Sequence, residues 1–250
     1  MVAFIDRDGE TKYNNVGNLM TIVHYGSFKN IDILFPTTGF ITKNRTYREF
    51  SIGNIKDEYN RNIFGVGFIG EGGYSSDTRH YKTWWGMLGR CYDLKTQEKQ
   101  PTYVGCTICE EWHNFQNFAK WYDKNYYEIQ NEVICLDKDI LIKGNKIYSP
   151  ETCVFVPSAI NSLFTKGNSR RGDLPIGVNI YDYDKTKYRA RCRNRDKMVG
   201  LGMYDHIIDA FNAYKRYKEN LIKEIANKYK NKIPQKLYDS MCRYEVEITD

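Results

Sequence analysis

Residues 185–197, KTKYRARCRNRDK, place a basic side chain at every second position: Lys185, Lys187, Arg189, Arg191, Arg193, Arg195 and Lys197. Side chains alternate faces along a strand, so a strand here carries all seven cations on one side. Core packing has no use for such a row, and like charges in line repel one another. Two readings follow. The row is a solvated hairpin face, as charge runs usually are, or a β-ribbon laid against a polyanion whose phosphates supply the counter-charge.

Two further patterns point to chemistry more weakly. Gly65, Gly67 and Gly70 have the GxGxxG spacing of dinucleotide-binding turns. That turn must close a strand and open a helix, whereas GVGFIGEGGYSSD at 65–77 is loop-like and reads as a linker. Cys106 and Cys109 form a single CxxC. Zinc takes about four ligands and no second pair follows, so zinc is not expected. Cys135 and Cys153 read as buried thiols within strands.

Composition narrows the partners. The chain has 250 residues, of which 41% are hydrophobic and 27% charged, in the range of soluble globular proteins. A net charge of +6 leans toward nucleic acid or another acidic partner. Tyrosine is frequent at 21 residues, which suits surfaces with one wet edge as well as cores. The start of the chain, MVAFIDRDGETKYNN, has no signal-peptide pattern, and no apolar run approaches a membrane span. Seven cysteines, an odd number, fit a reducing, cytoplasmic setting.

The elements that must hold the cationic row read as an α+β chain of three small modules. Residues 1–64 form a curved β-module of short strands, and 65–79 a glycine-rich linker. Helical periodicity starts at Tyr81 with Thr78 as a cap, and a second helix is expected from Glu110 to Tyr127. Residues 132–164 read strand, turn, strand, helix, with Pro157 in the first helical turn. After a basic linker at 166–174, carrying Arg170 and Arg171, a three-stranded meander and a long helix fill 175–232. Asp205 is the expected N-cap of that helix, and 233–250 is a C-terminal extension. One helix covers one side of the meander, leaving the other for the cations.

Residues 174–230 resemble the Apetala-type (ethylene-response-factor) DNA-binding domain, which also occurs in phage and mobile-element proteins. GV at 177–178, YRARC at 188–192, LGMYD at 201–205 and AFNAY at 210–214 carry the likeness. The resemblance implies a sheet in the major groove of double-stranded DNA. Arg189, Arg191 and Arg193 are then the base-contact candidates, while Lys185, Lys187, Arg195 and Lys197 meet phosphate.

The middle of the chain, residues 80–165, is similar to a phage HNH-type nuclease module. YKTWWGMLGRCYD at 81–93, GCTICEEWHNFQNF at 105–118 and CLDKDILIKGNKIYSPETCVFVPSAIN at 135–161 carry this second likeness. It implies a β-hairpin and helix around one divalent cation, Mg²⁺ or Mn²⁺, that stabilises the leaving oxygen. Asp137 matches the acidic metal ligand, Asn145 the central Asn and Asn161 the metal-binding position on the helix. Lys138 stands where the general-base His belongs. A lysine is protonated near neutral pH unless strongly desolvated, so it accepts no proton from water.

Three functions are compatible with these residues. The chain is a DNA-binding protein that nicks or cuts with a metal, or the same architecture with an inert nuclease core. The third is a phage interaction protein, such as a counter-defence factor that engages a host nuclease complex.

Overall fold

Alternating burial builds the first sheet. Ile31, Ile33 and Phe35 are buried while Asn30, Asp32 and Leu34 turn outward, as a half-covered strand requires. In the computed structural model, which describes residues 5–165, 173–181, 183–194 and 197–250, this is strand β3 of an antiparallel sheet. The sheet runs in sequence order: β1 (Thr11–Tyr13), β2 (Leu19–Ser27), β3 (Asn30–Phe35) and β4 (Phe40–Arg45). Met20, Ile22 and Phe40 join those three side chains, and Phe50 of helix α1 (Tyr47–Ser51) closes the cluster. Strands this short are stable only by sharing such a core. Thr46 and Glu49 exchange side-chain and backbone hydrogen bonds as a capping box that fixes the start of α1.

The chain is α+β and divides into two compact units, Met1–Lys124 and Asn125–Asp250. The division falls inside the 80–165 segment. In the first unit, the glycine-rich stretch forms turns and isolated bridges, Ile63 with Gly67 and Phe68 with Asn114. No strand–turn–helix unit frames Gly65, Gly67 and Gly70, so the nucleotide fingerprint lacks its context. Gly67 is there for packing, since a Cβ on it would stand 2.7 Å from Leu88 Cδ1.

Helix α2 (Arg79–Tyr92) starts at Thr78, whose side chain accepts the Tyr81 N–H, as expected. Helix α3 (Leu94–Lys99) and the short strand β5 (Thr107–Ile108) follow. The helix expected over 110–127 is interrupted. A 3₁₀ turn at Glu110–His113 comes first, and α4 covers Phe115–Asn125. Asn114 breaks the run: it is extended, and its side-chain oxygen accepts the Gln116 N–H at 2.9 Å, restarting the helix.

The second unit opens with β6 (Ile134–Asp137), paired antiparallel to β8 (Val154–Pro157). Strand β7 (Ile147–Tyr148) lies in the connection, and α5 (Ser158–Asn161) follows β8 directly, with Pro157 at its N-cap rather than within its first turn. Strands β9 (Val178–Ile180), β10 (Tyr188–Asn194) and β11 (Lys197–Tyr204) make the meander in the order β11–β10–β9. Helix α6 (Ile207–Tyr229) covers it, and α7 (Gln235–Arg243) packs against α6. Val154, Val156 and Ile160 share one core with Ala190, Cys192, Phe211 and Ile222. Leu237, Met241 and Val246, from the segment set apart as an extension, are buried in the same core.

Asp205 is not the N-cap of α6. His206 holds that position, and the Asp205 carboxylate instead receives the Lys187 ammonium in an ion pair. Among the described residues, no helix is long and apolar enough to cross a membrane.

Candidate nucleic-acid interface

Ala190 and Cys192 are 0% and 2% exposed, facing α6. Strand alternation then puts Arg189, Arg191 and Arg193 on the opposite face of the sheet, where all three keep solvent contact. The row of cations is shorter than its spacing promised. Among the described residues three of the row sit on β10, and before them the Asp184 side chain accepts both the N–H and the hydroxyl of Thr186 while its carbonyl accepts the Lys187 N–H. That turn consumes Lys185 and Lys187 before the strand begins. Lys197 opens the neighbouring strand β11 opposite Asn194, whose amide reaches Tyr217 of α6, so the register places it on the helix side of the sheet and not with the arginines. Arg195, Arg170 and Arg171 lie outside the described residues.

The three arginines differ in their surroundings. Arg191 Nε donates to Asn179 Oδ1 at 2.8 Å, which fixes its guanidinium beside β9. The Arg189 guanidinium lies over the Tyr181 ring, 5.9 Å from its centroid. The Arg193 guanidinium has no hydrogen-bond or ion-pair partner among the described residues. The register sets Met203 opposite Arg189 and Met198 opposite Arg193, and both methionines are exposed. Between them a bulge carries Leu201 as the extra residue: Ala190 pairs with Gly202 and Arg191 with Gly200. Tyr183 is exposed and its ring centroid lies 5.6 Å from that of Tyr181. These methionines and tyrosines belong to the same face and were missed in the sequence. Only the hairpin register, with its bulge, brings the methionines beside the arginines.

The hairpin of β6 and β8 gathers three of the four residues matched to nuclease positions. Asp137 Oδ1 accepts the N–H groups of Asp139 and Ile140 at 2.9 and 2.8 Å, closing the turn after β6. Burial, and then the neighbouring Asp139 charge, push the Asp137 carboxyl above the usual carboxylate range. Lys138 is 6% exposed. Its ammonium donates to Asp139 Oδ2 at 2.9 Å and to the Asn145 carbonyl at 3.0 Å, and lies 5.9 Å from the centre of the Tyr148 ring. Asn145 Nδ2 donates to the carbonyls of Lys138 and Ile147 at 2.7 and 2.6 Å. Asn161 ends α5, and no hydrogen bond joins it to this set among the described residues.

This arrangement orders a loop. An ammonium held by a carboxylate and a carbonyl has no lone pair with which to take a proton. As a divalent-cation site, Asp137 and Asn161 supply hard oxygen donors of the right kind. Asp137 Oδ1 already accepts two backbone N–H groups, the neighbouring Asp139 is taken by the Lys138 ammonium, and no hydrogen bond among the described residues brings Asn161 to them, so this donor set fits a dication poorly. Among the described residues, no group of three or more His, Cys, Asp or Glu side chains is placed to hold a metal ion. Cys106 is buried and Cys109 half-buried, and neither is in a disulfide. His113, within the same sequence block, faces Glu110 Oε2 from Nδ1 at 2.9 Å, where the carboxylate accepts, and Glu110 is also paired with Arg61.

No protein-family model matches the chain, and comparison with curated proteins and with solved structures finds no match.

Proposed function

We propose that this chain binds double-stranded DNA through the uncovered face of the β9–β10–β11 sheet. The observation that carries the reading is the burial of Ala190 and Cys192 against α6, which turns Arg189, Arg191 and Arg193 outward together. A ribbon of two or three strands fits the major groove, and arginine pairs bidentately with guanine O6 and N7. Lys185, exposed in the turn that precedes β10, is suited to phosphate. The net charge of +6 favours the same partner. In this reading the chain combines an N-terminal β-module, an HNH-like segment and an Apetala-type domain, and works in the cell interior.

The HNH-like segment serves the fold rather than catalysis in this reading. Lys138 supplies the support, because its ammonium is buried and held by two acceptors. A cleaving protein with Mg²⁺ or Mn²⁺ at Asp137 and Asn161 is the activity this reading competes with. A second function has its own observation. Exposed Met198 and Met203 beside the arginines suit an adaptable protein contact, so an acidic protein surface, such as a host nuclease complex, is the alternative occupant.

The deciding experiment is fluorescence anisotropy of a mixed-sequence duplex across a salt series. Affinity should fall steeply with salt and be lost by about a hundredfold or more in an Arg189→Ala/Arg191→Ala/Arg193→Ala variant. No binding at low salt would sink the DNA reading and move the acidic protein partner to first place.

A further inference from the structure

Beside the ribbon, the second unit contains a cavity of about 940 Å³, at the upper end of the roughly 300–1,000 Å³ common for small-ligand sites. Its walls come from the turn after α5, the start of β9, β10 and α6. Leu163, Ile176 and Ile225 make part of the wall apolar. Three cations reach it: Lys218 from α6, and Arg191 and Arg193 from β10. One carboxylate, Glu132, lines it among the described residues, and that group already accepts the Tyr229 hydroxyl at 2.5 Å. Neither the Lys218 ammonium nor the Arg193 guanidinium has a hydrogen-bond or ion-pair partner among the described residues.

The charges on this wall do not balance. Burial pushes the Lys218 ammonium below its ordinary value, and the Cys192 thiol next to it is itself pushed up by burial. A thiol that stays protonated offers no counter-charge. A half-buried ammonium without an acid partner keeps donors free for an anion that arrives with the ligand. Arg191 and Arg193 belong both to this wall and to the outward face of β10, so the cavity opens beside the face described above.

We infer that this cavity binds a nucleoside phosphate, with the phosphate at Lys218 and Arg193 and the base on the apolar wall. The ligand is either a free mononucleotide or an unpaired terminal nucleotide of DNA; the recognition chemistry is the same. This goes beyond duplex binding, which it does not require.

Titration calorimetry of the full chain with thymidine monophosphate tests it. The expected result is saturable binding, about tenfold or more weaker for thymidine and for inorganic phosphate alone. Lys218→Met and, independently, Arg193→Ala should each weaken it by about tenfold. Arg193 keeps solvent contact, so the second variant keeps the test valid if the first perturbs folding. Arg189→Ala, off the cavity wall, should weaken duplex binding and leave the monophosphate unaffected. The inference is overturned if the monophosphate does not bind, if inorganic phosphate binds equally well, or if both cavity variants bind it unchanged. Competition identifies the source: because Arg193 is shared with the duplex face, stronger displacement by a duplex with one unpaired terminal thymidine than by the same duplex blunt points to DNA, and equal displacement by the two points to the free nucleotide. Loss of monophosphate binding with intact duplex binding removes this inference alone.

Discussion

Lys138 and Asn145 hold each other across the turn that follows β6. The ammonium of Lys138 donates to the Asn145 carbonyl at 3.0 Å, and the side-chain amide of Asn145 donates back to the Lys138 carbonyl at 2.7 Å. The same amide reaches the Ile147 carbonyl, so one side chain closes both ends of the loop. Neither residue can approach a phosphate without dismantling that clasp.

Asn145→Ala removes the donor from two loop carbonyls and loosens the backbone carbonyl that receives the buried Lys138 ammonium. Each partly exposed hydrogen bond lost in this way costs about 0.5–1.5 kcal/mol, or about 1–3 kcal/mol for the two. Urea unfolding followed by circular dichroism should show a loss of that size, and duplex affinity should stay within about twofold. A variant as stable as the wild type would mean the clasp contributes nothing.

Lys138→His separates a missing base from a site never built for cleavage. The wild type should leave supercoiled plasmid intact with Mg²⁺ or Mn²⁺, and the imidazole should confer no nicking, because it sits in the buried position that Lys138 occupies. Metal-dependent nicking in the variant, abolished by Asp137→Ala, would instead reinstate an active HNH mechanism.

The two lysines of the turn before β10 should be unequal. Lys187 already faces the Asp205 carboxylate, whereas Lys185 is exposed with no ion-pair partner among the described residues. Each phosphate contact adds about 0.9 to the slope of log affinity against log salt. Lys185→Ala should therefore lower that slope by about one, and Lys187→Ala by clearly less. Asp205→Asn, which frees Lys187, should raise affinity. Equal slopes for the two lysine variants would contradict this ranking.

Gly177 should tolerate no side chain. Its φ is +79°, and a Cβ there would lie 2.0 Å from Cδ2 of Tyr214. Gly177→Ala combines a left-handed backbone with forced displacement of a buried ring, for a cost of about 2–4 kcal/mol. Thermal unfolding should show this drop. A change below about 0.5 kcal/mol, the range of neutral surface substitutions, would show that the ring moves aside freely.

Periodicity makes much of this protein legible from its residues alone. The alternation in YRARC at 188–192 assigns Ala190 and Cys192 to one face and the arginines to the other. The apolar stripe after Asp205 announces the helix that covers the buried face. Thr78 marks the start of α2 because capping depends on residues within one turn. These features are encoded locally, in the repeat of a strand or helix or in a neighbour's hydrogen bond.

What only the tertiary structure decided is the partner of each charge and each close approach. The Asp184 turn took Lys185 and Lys187 out of the strand, and the hairpin register turned Lys197 to the helix side. Lys187 met an aspartate 18 residues away, and Gly177 met a ring on a distant helix. Lys138 stands out in the sequence only as a departure from one motif; the fold shows it buried and committed to its own loop. The cavity around Lys218 is assembled from five separate stretches of chain, and no window of sequence contains it. The physical reason is the same in each case. Which face a side chain takes follows from local backbone geometry, whereas what it meets there depends on segments that only folding brings together.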